Sequence, residues 1–290
     1  MARGATGLAP TAREALIGLL TAPKLELIPL KSVHQQIGFL PSGATVSVTA
    51  SPAKGIEATV ELCEQLAGLG FDPVAHLSAR MIRDRAHLAD LLARLRSGGI
   101  DRAFVVGGDG DAFGAYPDGL TLLREMADLG HPFREIGVPC YPEGHPTIPT
   151  ERLMTALAEK QPYAHYMTTQ ICFDAGATAS FIEGRRVAGI TLPVHIGLPG
   201  VAEIHKLAMI SARIGVKDSK RFLSKNVRLV GQLVRPGGFR PDGLLESLGG
   251  ALADPIADIR DLHVYTFNQV ETTEEWRNRY LAALRAERDG

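Results

Sequence analysis

The apolar and polar positions of this chain fall into two alternating kinds of segment. Eight short runs are mostly apolar or β-branched and are bounded by Gly, Pro or charged residues. They are Lys24–Pro29, Thr45–Ala50, Pro73–Leu77, Arg102–Val106, Glu135–Cys140, His165–Ile171, Leu192–Gly197 and Leu262–Phe267. Runs of this kind read as strands buried on both faces. Between them lie longer segments whose apolar residues recur three and four apart, the helical period. These are Gly55–Leu69, Asp84–Arg96, Asp118–Leu129, Thr150–Lys160, Ala175–Ala188 and, closing the chain, Thr272–Arg285. A first helix is predicted to open at Thr11.

Strand followed by helix, repeated in this way, predicts a parallel sheet with crossover helices. Eight such units close into a (β/α)8 TIM barrel. A doubly wound sheet is the alternative, although no strand here runs into G-x-G-x-x-G. Residues at the predicted strand ends sharpen the choice. Glu26, Thr49, His76, Asp109, Tyr141, Gln170, Gly197 and Thr266 follow one another at intervals of 23, 27, 33, 32, 29, 27 and 69. The first six intervals are each about one βα unit, and the last predicts an insertion between strands seven and eight. The expected organisation is one α/β barrel domain over 1–290, with an N-terminal helical extension at 1–23 and a long β7–β8 connection at 198–261.

Length and charge fit this picture. A chain of 290 residues buries roughly three quarters of its unfolded surface and needs no disulfide or metal to fold. Lys and Arg total 31 against 32 Asp and Glu, a balance that argues against nucleic acid as a partner. No apolar run is long enough to span a membrane. Cys63, Cys140 and Cys172 are widely spaced and odd in number, as expected of reduced thiols in a cytoplasmic protein.

Several segments carry candidate chemistry. Glu26 stands among Leu25, Leu27 and Ile28, where burial raises a carboxyl pKa and suits it to general-acid work unless a cation pairs with it. Gly107, Gly108 and Asp109 follow a strand, so Asp109 either accepts hydrogen bonds from a ligand or is simply a turn residue. Tyr141, Glu143 and His145 sit in a loop stiffened by Pro142 and Pro146. A lone E-x-H is a poor metal signature, so no metal site is expected. Gln170 offers a donor and an acceptor at one strand end. Lys217, Arg221, Lys225 and Arg228 make one face basic if their segment is helical, either as a solvated face or as a contact for an acidic ligand tail.

Taken in order from Lys24 to Asn268, the segments LELIPL, TVSVTA, AHLS, VVGGDG, CYPEGHP, TTQICFD and HVYTFN resemble the signature segments of methylenetetrahydrofolate reductases. That resemblance implies a TIM barrel reducing 5,10-methylenetetrahydrofolate to 5-methyltetrahydrofolate with NADH or NADPH, a step of one-carbon metabolism and methionine biosynthesis. It implies Glu26 as proton donor, Asp109 at the pterin edge, and Gln170 with Tyr141 at the substrate. Thr49, His76, Gly108, Tyr141 and His145 match positions that line the cofactor. The departures concern flavin. The family's Arg before Gly-Asp is Gly107 here, FEFFPP has lost its aromatics, and the K-x-D-A-G-A stretch reads Lys160 to His165 as KQPYAH. These losses resemble an atypical flavin-independent branch, in which FAD is absent and the nicotinamide passes hydride directly; the alternative within the family is the same reaction through bound FAD, by ping-pong transfer. The rival readings are a barrel lyase or aldolase, with Lys24 or Lys160 as Schiff-base candidates, and a catalytically silent folate-binding barrel.

Overall fold

The structure is a computed structural model that describes residues 7–108, 114–145, 147–201 and 241–289. Eight parallel strands close a barrel in chain order. They are β1 (Lys24–Leu27), β2 (Thr45–Val48), β3 (Asp72–Ser78), β4 (Arg102–Val106), β5 (Glu135–Cys140), β6 (Tyr166–Thr169), β7 (Val194–Pro199) and β8 (Ile259–Tyr265). The ring is shut by β1 pairing with β8, in the register Lys24 to His263 and Glu26 to Tyr265.

Helix α1 (Pro10–Thr21) precedes the barrel; α2 (Ile56–Gly68), α3 (Arg85–Ser97), α4 (Gly119–Leu129), α5 (Thr150–Lys160) and α6 (Ala175–Val187) each follow a strand. After β7 the described chain resumes with two short helices, α7 (Asp242–Ser247) and α8 (Gly249–Ala253), before β8 and the closing α9 (Val270–Asp289). The extra length predicted between the last two strands therefore falls where the interval arithmetic put it.

Side chains alternate across each strand, and the two faces do different jobs. Leu25 and Leu27 of β1 belong to the apolar shell under the helices, together with Leu16 and Leu20 of α1. Each fully buried Leu contributes about 1.5–3 kcal/mol. The opposite face of β1 points Lys24 and Glu26 into the barrel. There Val74, Phe104 and Tyr166 form a separate inner cluster. Gly137 makes room for it, because a Cβ at that position would stand 2.2 Å from the Tyr166 ring.

Three helix starts at the barrel mouth are fixed by aspartates. Asp84, Asp118 and Asp174 accept from the backbone N–H of His87, Thr121 and Ala177 respectively, caps worth about 0.5–2 kcal/mol each. At the other end, the Arg277 guanidinium donates to the last carbonyls of α1, Leu20 and Thr21, while Glu274 holds it in place.

Six strands differ from the sequence pattern by one to three residues at one or both ends: β1, β2 and β6 stop two residues early, β3 is one residue longer at each end, and β7 and β8 are shifted. β8 begins earlier than the apolar run, at Ile259, because Asp261 still pairs with His195 across the ladder despite its charge. It stops at Tyr265 because Phe267 and Asn268 take left-handed φ values of 52° and 54°. β7 begins two residues late and runs on to Pro199, so Gly197 lies inside the strand rather than at its end.

Candidate active site

The turn after β8 holds the end of β1 in place. The Asn268 side chain accepts from the Ile28 N–H at 2.8 Å and donates to the Ile28 carbonyl at 2.9 Å, imitating a strand partner. Thr266 Oγ1 donates to the Glu26 carbonyl at 2.5 Å. The backbone of Glu26 is thereby fixed from both sides, and its side chain is aimed inward.

Inside the barrel Glu26 Oε2 lies 3.0 Å from Nε2 of His263 and 3.9 Å from Nε2 of His76. His76 Nε2 is in turn 2.6 Å from the Ser47 hydroxyl. Four strands thus meet at one polar cluster, of which Glu26 keeps 8% of its surface open. Burial dominates the electrostatics. Desolvation raises the Glu26 pKa to about 7, against a smaller opposing pull from His76. The same loss of water lowers His76 to about 4 and His263 to about 3. Distance alone would make Glu26 and His263 an ion pair; burial instead keeps the imidazole neutral and holds a large share of Glu26 as the carboxylic acid up to about pH 7.

One layer below, Lys24 is also buried, with Nζ 3.4 Å from His195 Nδ1 and 4.1 Å over the Tyr166 ring. His195 stacks on Tyr166 at 4.0 Å. Desolvation lowers the Lys24 pKa, and it raises that of Asp261 to about 6. Phe104 separates the two layers, 4.8 Å from His76 and 6.4 Å from Tyr166 between ring centres. Tyr265 leans over His263 at 4.8 Å and donates its hydroxyl to the Thr169 carbonyl.

The remaining candidates form the rim. The Thr49 N–H donates to Leu27 O, and its carbonyl accepts from Thr59. Gly108 takes φ +96°, and a Cβ there would stand 2.2 Å from Ser78 Oγ. Tyr141 and His145 meet edge to face at 5.3 Å. His145 Nδ1 accepts from the N–H groups of Thr147 and Ile148, and Glu143 Oε1 accepts from Phe173 and Asp174 at 2.6 and 2.9 Å. Both side chains of the E-x-H pair therefore brace loops. Gln170 is exposed, and its Oε1 accepts from the Ile171 N–H. Asp109 and the basic residues Lys217, Arg221, Lys225 and Arg228 lie outside the described residues.

Of the predicted site residues, Glu26 and His76 come together, while Thr49, Tyr141, His145 and Gln170 stand at the mouth. Sequence reasoning missed Ser47, His195 and above all His263. The period-2 alternation His263, Tyr265 in HVYTF was the available signal for the last. His76 lies within β3, two residues before its end, which lets it reach down to Glu26. Lys160, a Schiff-base candidate, has its Cε beside Gly119 at the start of α4.

Where the resemblance implies a flavin-lining Arg, this chain has Gly107. Gly107 supplies no side chain where a phosphate-facing Arg would stand, and a Cβ there would meet nothing nearer than 4.0 Å. Nε of the neighbouring Arg80 donates to the Pro117 carbonyl, and His76 is turned inward onto Ser47 rather than out to the rim.

Among solved structures, the chain is similar in shape to a provisionally assigned lyase/mutase from Burkholderia cenocepacia, at 13% identity and TM-score 0.49, covering 96% of this chain and 87% of that one. It is also similar to dihydropteroate synthase from Thermus thermophilus, at 12% identity and TM-score 0.40, covering 91% and 95%. Neither likeness bears on chemistry. The sequence itself matches the family model for methylenetetrahydrofolate reductase over residues 30–232. That stretch opens just after β1 and closes before β8, so Glu26 and His263 flank it. It covers well over half of the chain, and the chain belongs to the methylenetetrahydrofolate reductase family.

Proposed function

We propose that this protein reduces 5,10-methylenetetrahydrofolate to 5-methyltetrahydrofolate, with hydride passed directly from NADH or NADPH and Glu26 as the proton donor. The observation that carries the reading is Glu26 itself, a carboxyl group buried at the barrel mouth beside neutral His263, with 8% of its surface open. Active sites of barrel enzymes sit at this face.

The imidazolidine ring of the substrate resists hydride. Protonating N10 and breaking its bond to the methylene carbon yields an N5 iminium, which is electrophilic. A neutral carboxyl at Glu26 supplies that proton. His263 holds the group in one orientation, and Thr266 with Asn268 holds its backbone. Hydride from the nicotinamide C4 then adds to the methylene carbon, leaving NAD(P)+ and the 5-methyl product, and Glu26 regains a proton from solvent through the open mouth. Gln170 and Tyr141 on the rim are assigned to the pterin, with Asp109. Thr49, Gly108, Tyr141 and His145 on the rim, with His76 deeper in the barrel, are assigned to the nicotinamide nucleotide.

The direct route is favoured by Gly107, which offers no phosphate-binding cation, and by the inward turn of His76. The deciding experiment follows NAD(P)H oxidation that depends on methylenetetrahydrofolate, in protein whose absorption spectrum is recorded first. Turnover by colourless protein with sequential kinetics is expected. A flavin spectrum with FAD released on denaturation and ping-pong kinetics would replace direct transfer by a flavin route.

A further inference from the structure

We propose that Glu26, His76 and His263 form a binding site for a divalent cation of the Zn2+ class, and that the ion switches the enzyme off by occupying the catalytic carboxylate. The site stands on geometry alone; its inhibitory consequence rests on the acid role assigned to Glu26 above.

Two imidazoles and one carboxylate, all buried, present ligand atoms that lie within 4.8 Å of one another. They come from three different strands, so no spacing motif in the sequence announces them. Zinc bonds of ~2.0–2.1 Å in a tetrahedron place neighbouring ligand atoms about 3.3–3.4 Å apart. The separations from Glu26 Oε2, 3.0 Å to His263 Nε2 and 3.9 Å to His76 Nε2, bracket that value. Modest side-chain rotations suffice to bring them to it. Imidazole with carboxylate suits Zn2+ better than Mg2+ or Ca2+, which seek oxygen-rich shells.

Two features make the ion an exchangeable occupant rather than a resident. His76 Nε2 must leave the Ser47 hydroxyl, now 2.6 Å away, before it can ligate. His263 Nδ1 has no hydrogen-bond partner, whereas strong metal sites anchor the second ring nitrogen of each histidine. Three protein ligands also leave a fourth position open, towards the mouth. An ion there bonds to the oxygen of Glu26 that would otherwise carry the proton for N10, so metal and proton exclude each other.

Cobalt(II) is the probe, because its visible d–d bands report four- or five-coordinate sites without any need for activity. The full-length protein, stripped with a chelator, is expected to bind one equivalent of Co2+, which Zn2+ displaces. His76→Gln and His263→Gln should each weaken binding at least about tenfold, since losing an outer-shell partner alone costs ~10–100-fold. Glu26→Gln serves as a third variant should either histidine change unfold the barrel, judged by circular dichroism. Absence of the bands, or bands that persist unchanged in all folded variants, would overturn the site. Zn2+ should abolish turnover reversibly on chelation; binding with undiminished turnover would overturn the inhibitory role. Inactive protein that still binds Co2+ through these residues would refute the reductase reading and leave the metal site standing.

Discussion

Glu26 and His263 share a hydrogen bond 3.0 Å long between two groups whose charged forms burial disfavours. β8 pairs with β1, and that pairing brings them together across 237 residues of chain. A carboxyl in this setting keeps its proton near neutrality. Glu26→Gln preserves shape and hydrogen bonding but cannot deliver a proton. Its kcat should fall by about 10²–10⁴-fold, the usual worth of a general acid, with little change in KM for the folate. Steady-state kinetics on the folded variant decide it, and near-normal kcat would remove Glu26 from the mechanism.

The acid must be protonated to act, and desolvation places its pKa at about 7. Turnover should therefore hold below that value and decline as pH rises through it, about tenfold per unit once ionisation dominates. Among the described residues His76, His263 and Tyr265 are titratable groups beside Glu26, with Lys24 one layer below, and burial disfavours the charged form of all four. A kcat profile from pH 5.5 to 9 tests this; a rising alkaline limb would contradict it.

Stability should respond in the opposite pH range. His76 and His263 have folded pKa values of about 4 and about 3, below the unfolded value near 6.5. Their contribution is present above about 6.5 and is lost as pH falls through the folded values, since the unfolded chain then binds more protons. Glu26 acts with the opposite sign, favouring the folded state at low pH and losing that contribution as pH rises through about 7. Asp261, raised to about 6, acts with Glu26, while His195, also lowered by burial, acts with the other two imidazoles; three histidines outweigh two carboxyls, so Tm should drop between pH 6.5 and 4. His263→Asn removes one of the three imidazoles, and the drop should shrink in that variant.

The legible part of this protein was whatever repeats locally. Apolar strands and amphipathic helices carry their own period, and β4, β5 and α5 have the same bounds in sequence and structure. The site is less legible, because its members touch through closure of the barrel. His263 is the clearest case, since only the β1–β8 register brings it to Glu26. Lys24 reads as a polar residue opening a strand, yet the barrel wall encloses it against His195. Glu143 and His145 show the converse. Their spacing drew attention, but both side chains serve the backbone of neighbouring loops.

The inner layer sets a limit on small changes at the barrel floor. A methyl group at position 137 would stand 2.2 Å from Cζ of Tyr166. Tyr166 cannot yield easily, with His195 stacked on one side and Phe104 on another. Gly137→Ala should cost about 1–3 kcal/mol by overpacking, seen as a lower Tm. Tyr166→Phe keeps the ring and should be tolerated, whereas equal losses in both variants would point away from a steric cause.

Glu143 offers the last test, because it separates loop support from chemistry. Its Oε1 accepts two backbone N–H groups, those of Phe173 and Asp174, just ahead of α6. It thus ties the β5 loop bearing Tyr141 to the β6 loop bearing Gln170. Glu143→Ala leaves those donors without this acceptor at a cost of about 1–3 kcal/mol. Glu143→Gln retains an oxygen acceptor and loses only the charge. If Tyr141 and Gln170 bind the pterin, loosening the tie should raise KM for methylenetetrahydrofolate several-fold while kcat, set by Glu26, changes little. The Gln variant should recover most of the affinity. A fall in kcat with unchanged KM would instead assign Glu143 to the chemical step, against the position of its oxygen on two backbone amides.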